Sequence, residues 1–289
     1  MRVFVTGATG FIGSAIVRDL IGAGHEVLGL VRSDAGAGSL AAAGAIAHQG
    51  DLEDLDSLRR GALMSDGVIH AGFVHDMAKF AENCNIDRRA IETLGEAIAG
   101  SERRLIVTSG MNARTEDDAP PPGPNPRVSD QAAISLVAQG VHARVVRVPQ
   151  VHNRDRHGVI TSMIDIAREK GVSAYIGAGQ NRWPAVHRLD VAPVYRLALE
   201  KGVDGARYHA VAEEGVPVRD IAEAIGRGLK VPVVAIAPEE AAAHFGWLAW
   251  FAGMDAPASS VLTQQRLGWR PTENPGLIAD IDHASVFAT

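Results

Sequence analysis

The chain has 289 residues, a net charge of −6 and a pI near 6.0, long enough for one large α/β domain with a smaller appended region. With no basic stripe, this charge argues against a nucleic-acid partner. The single cysteine, Cys84, forbids an internal disulfide, suits a reducing cytoplasm, and reads as a small buried hydrophobe rather than a nucleophile.

Arg2 to Thr6 is short, β-branched and aromatic, which predicts a buried strand without a leader or membrane span before it. It runs directly into Gly7, Gly10 and Gly13 at three-residue spacing. Gly7 sits where the chain must turn, Gly10 lets backbone approach an anion, and Gly13 removes a side chain that would block helix-against-strand packing. The helix that follows, Ser14 to Ile21, points its positive end and free amides at the same place. A second strand, His25 to Val31, completes a βαβ unit, so the turn is built to hold a dinucleotide pyrophosphate on Gly7, Thr9, Gly10, Phe11, Ile12 and Gly13. Where an NAD-binding unit offers a carboxylate to the ribose, this chain has Arg32 and Ser33 after Val31. A guanidinium and a hydroxyl attract a 2′-phosphate, so NADP is favoured over NAD, with Asp34 close by as the opposing charge.

The segment Thr6-Gly-Ala-Thr-Gly-Phe-Ile-Gly13 resembles the fingerprint of the extended short-chain dehydrogenase/reductase superfamily, which includes sugar-nucleotide epimerases, hydroxysteroid dehydrogenases and dihydroflavonol reductases. Further matches follow in order. Gly50-Asp51-Leu52 resembles the turn whose Asp contacts adenine. Val68-Ile-His-Ala71-Gly72-Phe73 is similar to the fourth strand, which passes under the riboses. Asn85 to Leu94 resembles the fourth helix, although Arg88 and Arg89 replace a small pair there. Leu105 to Gly110 resembles the fifth strand, ending in hydroxyl residues that include Thr108. Val145 to Val151 resembles the sixth, whose Arg-x-Pro exit through Pro149, Gln150 and Val151 touches the carboxamide. Ala185 to Ala192 resembles the opening of a late helix. The resemblance implies a Rossmann-type doubly wound parallel sheet. Residues 1–150 would mainly bind NADP, with some later segments returning, and residues 151–289 would mainly form a smaller substrate lobe. It also implies a homodimer through the fourth and fifth helices, an interface that Arg88 and Arg89 put in question.

One departure changes the chemistry. In the superfamily a Tyr supplies the proton and a Lys four residues later lowers its pKa. Here Tyr175, Tyr195 and Tyr208 are followed four places on by Gly179, Leu199 and Ala212. Lys79, Lys170, Lys201 and Lys230 all lie outside the segment where the pair belongs. Alignment before the sixth strand puts Arg127 at the Tyr position and Gln131 at the Lys position, and arginine is no acid near neutral pH. The family's hydroxyl falls on Gly110, with Thr108 and Ser109 adjacent and a one-residue shift left open. Candidate substitutes are His70, His75 and Asp76 after the fourth strand, Ser109 and Asn112 after the fifth, Arg127, and His152 after the sixth. His75 and His152 can trade a proton near pH 7. Arg127 can hydrogen-bond the carbonyl or a carboxylate on the substrate without donating its proton. His142, His152 and His157 lie on different predicted elements without a carboxylate or Cys at ligand spacing, so no metal site is expected.

The second half reads as the part that selects substrate. Glu116 to Pro126, with its prolines, is a flap or edge loop between the fifth strand and fifth helix, and the resemblance implies that it borders the active site. Thr161 to Lys170 is predicted helical, and Gly177 to Pro184 is a loop whose Arg182 and Trp183 either close over a ligand or pack as a buried Trp with a surface Arg. A helix through Lys201, a strand Tyr208 to Val211, a helix Val218 to Leu229 and a strand Val231 to Ile236 follow. Ala241 to Phe251 is an Ala-rich helix whose aromatic stripe packs or lines an apolar pocket. With no basic clamp for a nucleotide diphosphate evident, the expected substrate is a small, fairly apolar carbonyl compound or a related C=N or C=C compound. It is reduced with NADPH by positioning chemistry. The competing reading is a non-catalytic NADP-responsive binding protein.

Overall fold

Strict alternation of apolar strands and amphipathic helices builds the sheet that carries everything else. In chain order the first half contains β1 (Arg2–Thr6), α1 (Gly13–Gly22), β2 (Glu26–Val31), α2 (Asp34–Ala42), β3 (Ile46–Gln49), α3 (Leu55–Leu63), β4 (Gly67–His70), α4 (Phe80–Ile98), β5 (Arg104–Gly110), α5 (Ser129–Val137) and β6 (His142–Val148). The second half contains β7 (Gln150–His152), α6 (Ile160–Lys170), β8 (Ser173–Ile176), β9 (Arg182–His187), α7 (Arg188–Lys201), β10 (Arg207–His209), β11 (Glu213–Pro217), α8 (Val218–Leu229), β12 (Val233–Ile236), α9 (Ala241–Phe245), α10 (Ala249–Gly253), α11 (Val261–Leu267) and α12 (Leu277–Asp282). These come from a computed structural model that describes all residues except 112, 122, 124, 274, 288 and 289. The expectations placed on Asn112, and on Pro122 and Pro124 of the proline-rich loop, lie outside the described residues.

The central sheet runs β10-β6-β5-β4-β1-β2-β3, all parallel. Its inner strands β1, β2, β4, β5 and β6 are nearly continuous runs of buried residues because both faces are covered, whereas the edge strand β3 is largely exposed. On one face Ile16 and Leu20 of α1, Leu40 of α2 and Val194, Tyr195 and Ala198 of α7 join Val3, Val5 and Ile106. On the other, Leu58 of α3, Ile91 and Leu94 of α4 and Leu136 of α5 join Phe4, Val68 and Val107. This is the doubly wound α/β architecture. The chain winds outward through β1, β2 and β3, then returns to the far side of β1 for β4, so the crevice at the carboxyl edge opens between β1 and β4.

After β6 the chain leaves the sheet and then returns to it for α7 and β10. The segment Val145 to Val151, expected as one strand, is divided at Pro149, which cannot donate to a ladder. β7 pairs instead with β9, in a small sheet ordered β11-β9-β7. A third core, around Met163, Ile164, Trp183, Ile221, Ile225, Leu248 and Leu277, fills the carboxyl-terminal lobe. The loop expected over Gly177 to Pro184 is shorter than that, since Arg182 opens β9. Trp183 is buried and donates its indole N–H to the Met254 carbonyl at 3.1 Å, while Arg182 pairs with Asp255 at 3.0 Å. The helix expected over Ala241 to Phe251 breaks at Gly246, whose φ of +55° suits glycine. Phe245 and Leu248 pack inward, leaving Trp247 and Trp250 48% and 64% exposed. No helix among the described residues is long and apolar enough to cross a membrane.

Candidate active site

The amino-terminal turn sits where β1 and β4 meet, and its glycines are held by contacts between backbones. Gly7 has φ +66°, and a Cβ there would lie 2.7 Å from Gly72 Cα and 2.8 Å from the Ala71 carbonyl oxygen. A Cβ on Gly13 would lie 1.9 Å from the Gly7 carbonyl oxygen. Gly13 thus keeps the helix start against the turn itself, closer than the helix-against-strand contact expected for it. Gly10 donates to Gly7 O at 2.8 Å and is otherwise open. The helix α1 begins without a capping side chain, and among the described residues the Phe11 and Ile12 amides have no protein acceptor. Free amides at an uncapped helix start, with a glycine face left open, fit a diphosphate.

Along the same edge, Leu52 packs near Gly72, and Asp51 Oδ1 accepts the Glu53 amide at 2.9 Å. Ser33 caps α2 by accepting from the Gly36 amide at 3.2 Å. Arg32 projects beyond β2 with its side chain 77% exposed and its Nε 3.7 Å from Asp51. Asp51, rather than the neighbouring Asp34, is therefore the carboxylate that Arg32 answers to.

The remaining candidates meet around Phe73. The Arg127 guanidinium lies 4.3 Å from the Phe73 ring centroid, and the His75 ring meets the same ring edge-on at 5.3 Å. Arg127 Nη1 is 3.9 Å from where a Gly110 Cβ would stand, so the guanidinium closes on the end of β5. His75 is exposed, yet desolvation by the surrounding protein, followed by the charges of Arg127 and Arg156, holds its pKa below the ordinary histidine value. Ser109 is buried at the end of β5, its hydroxyl 3.4 Å from the Gly110 carbonyl.

A buried relay fixes Arg127 from behind. Its Nε donates to Ser129 Oγ at 3.1 Å, and Ser129 donates to Asp87 Oδ2 at 2.6 Å. Asp87 Oδ1 lies 3.1 Å from His70 Nε2, and His70 Nδ1 lies 2.8 Å from Thr6 Oγ1, which also accepts the Gly72 amide at 3.1 Å. The neutral tautomer with its proton on Nε2 satisfies every partner of His70. Burial alone would raise the Asp87 pKa, but the hydrogen bond from His70, the charge of Arg127 and the Ser129 hydroxyl together hold it low. Asp87 is thus a carboxylate at neutral pH, tying the dinucleotide turn to Arg127. Its signal was present in the sequence as an acid among Cys84, Ile91 and Leu94 on the apolar stripe of α4. A charge at a core position demands a buried partner, and the expectations for this helix passed over it.

Two other groups lie elsewhere. Thr108 gives its hydroxyl proton to the His70 carbonyl at 2.8 Å and so accepts from Tyr195, also at 2.8 Å. Tyr195 is fully buried and burial pushes its pKa up, so this tyrosine braces β5 and cannot serve as an acid in the cleft. His152, expected at the site, is 1% exposed and turned into the carboxyl-terminal lobe, with Nδ1 2.8 Å from Asp280. The division at Pro149 places β7 in the small sheet beside β9, where His152 meets His187 and Asp280. Val151 is buried in the core, and Gln150 Oε1 accepts the Val159 amide at 3.3 Å, closing the loop that carries Arg156.

A doubly wound sheet with free amides at its switch point defines a dinucleotide-binding protein of the extended short-chain dehydrogenase/reductase type. A model described as the NAD dependent epimerase/dehydratase family matches residues 3–211, and the chain belongs to that family. It is similar to an uncharacterized protein of Schizosaccharomyces pombe, 49% identical over 296 residues that cover 99% of this chain and 100% of that one. An uncharacterized protein of Saccharomyces cerevisiae is 44% identical over 292 residues, covering 97% and 98%. Among solved structures, dTDP-glucose 4,6-dehydratase from Streptomyces venezuelae with NAD and TYD bound superimposes with a TM-score of 0.76 at 21% identity, covering 99% of this chain and 96% of that one. The family is one of dehydrogenases, epimerases and reductases.

Proposed function

We propose that the protein is an NADP-dependent reductase of a small carbonyl compound that works without the usual Tyr and Lys pair, as a soluble cytoplasmic enzyme. The observation that carries this reading is the Arg127 guanidinium at the end of β5, joined through Ser129, Asp87 and His70 to the dinucleotide turn. Gly7, Thr9, Gly10, Phe11, Ile12 and Gly13 hold the diphosphate, Arg32 and Ser33 the 2′-phosphate, Asp51 and Leu52 the adenine end, and Ala71, Gly72, Phe73, Pro149, Gln150 and Val151 the nicotinamide half. Bound there, the cofactor supplies the hydride. Arg127 hydrogen-bonds the carbonyl oxygen and stabilises the charge that develops on it, and Ser109 shapes the same wall. His75, on the other side of Phe73, provides the proton. Partial loss of an acid catalyst costs about 10² to 10⁴-fold, so turnover is slow but measurable.

The test is NADPH oxidation at 340 nm across a panel of aldehydes and ketones, followed against pH. A His75 with a lowered pKa carries its proton only below the ordinary value of about 6.5, so kcat/KM rises as pH falls through that region. His75→Gln flattens the profile. Cofactor binding without oxidation anywhere in the panel would instead favour a non-catalytic NADP-responsive protein. Arg32→Ala is expected to raise the Kd for NADPH about 10-fold while leaving that for NADH unchanged, the loss of one charge-assisted hydrogen bond. Fluorescence titration with both cofactors checks this, and equal effects on the two would remove Arg32 from the phosphate.

A further inference from the structure

Phe11 and Phe73 stand on the two loops that touch at Gly7 and Gly72, and arginines cover both rings. Arg127 lies on Phe73, while Arg156 and Arg188 lie 5.3 and 4.9 Å from the Phe11 centroid. The three come from segments far apart in the chain, which is why no basic clamp was visible in the sequence. Arg188 is anchored to Ser14 Oγ at 3.0 Å, on the helix that begins the diphosphate site, and its Nε is buried without a partner among the described residues.

Arg156 is presented by a tight turn. Asn153 Oδ1 accepts the Asp155 and Arg156 amides at 3.0 and 2.9 Å, and the Asn153 amide donates to the Arg156 carbonyl at 2.9 Å. The carboxylate beside it in sequence is turned aside, since Asp155 Oδ1 accepts the Ser285 hydroxyl at 2.9 Å. Among the described residues none of Arg127, Arg156 and Arg188 has a carboxylate at ion-pair distance, a state shared with Arg18, Arg60 and Arg89 but not with Arg182, Arg196, Arg227 and Arg266.

We propose, building on the reductase reading, that the substrate is a small carbonyl compound bearing a carboxylate, with Arg127 on its carbonyl oxygen and Arg156 on its carboxylate. The cleft is positive although the whole chain is negative, so it attracts the anion locally. The unfavourable effects on its own cations agree with this. Burial and then the charge of Arg18 lower the Arg188 pKa, Asp155 acts against them and Arg156 adds a smaller lowering, while burial and then the charges of Arg127 and Arg156 lower that of His75. An anion relieves both.

The matched pair is succinate semialdehyde and butanal, equal in chain length and differing in the carboxylate, each with NADPH and the full-length protein. The wild type is expected to prefer the acid by about 10- to 100-fold in kcat/KM, the effect of one or two charge-assisted hydrogen bonds. Arg156→Gln collapses the ratio toward one while the Kd for NADPH is unchanged. A ratio near one in the wild type, or one unaltered in Arg156→Gln, overturns the proposal. So does a rise in the NADPH Kd of that variant with the ratio intact, which would assign Arg156 to the cofactor's phosphates. If butanal alone is reduced, the reductase reading stands and this inference falls. If neither aldehyde is reduced, the wider carbonyl panel decides the reductase reading, and calorimetry with succinate on the NADPH-bound protein decides this inference. Binding that Arg156→Gln abolishes supports it, and no binding overturns it.

Discussion

Gly13→Ala is expected to weaken dinucleotide binding roughly 100-fold and to lower the melting temperature, because its new methyl group would stand 1.9 Å from the Gly7 carbonyl oxygen. No flexible side chain is there to yield, so the backbone of the turn or of α1 must move. Overpacking costs about 1–3 kcal/mol and occasionally more. The free Phe11 and Ile12 amides move with the helix start, and each charge-assisted hydrogen bond lost to an anion is worth about 1.5–3 kcal/mol. Gly22→Ala is the internal control. It lies in the same helix with nothing within 4 Å of the added carbon, so it is expected to be neutral or to stabilise by up to about 1 kcal/mol. Calorimetric titration and thermal melts of both variants check the pair. Unchanged cofactor affinity in Gly13→Ala would mean that this turn does not hold the diphosphate.

The second large effect is expected at Asp87. Asp87→Ala leaves His70 and Ser129 without their shared acceptor in a buried site and removes the charge behind Ser129 and Arg127, at a cost of about 3–5 kcal/mol, or a fall in melting temperature on the order of 10 °C. Asp87→Asn keeps the shape and removes the charge. That variant is expected to fold and to lose roughly 100-fold in kcat with a smaller change in KM, since Arg127 is no longer held toward the reacting oxygen. Ser129→Ala cuts the same chain one link nearer Arg127 and is expected to reproduce the kcat loss at a smaller cost in stability. The sign with pH follows from the lowered Asp87 pKa. Its contribution to stability is present above the ordinary carboxylate range and is lost as pH falls through the folded value. If Asp87→Asn melted lower but kept full kcat, the relay would be a support of the fold without a role in positioning Arg127.

The elements β1, α1, β2 and α8 lie within a residue or so of their expected limits, because each is specified by its own periodicity and by the glycines or caps beside it. The glycine turn was legible for the same reason, since a left-handed φ at Gly7 and a missing side chain at Gly13 are demands that the chain makes within thirteen residues. The absent Tyr and Lys pair was legible as well, being a pattern of fixed spacing. His152 was misplaced because the division at Pro149 sends β7 to another sheet, which no local pattern shows.

The sequence by itself determined the alternation of strands and helices, the dinucleotide turn and the loss of the usual acid, all of them properties of contiguous residues. Only the tertiary structure decided which distant groups share the cleft: Arg127 over Phe73, Arg156 and Arg188 over Phe11, and Asp87 between His70 and Ser129. The physical reason is that charge and hydrogen-bond partnership depend on distance through space. A guanidinium that reads as an isolated charge in the chain stands over an aromatic ring of a loop distant in sequence once the sheet brings the two segments to its carboxyl edge.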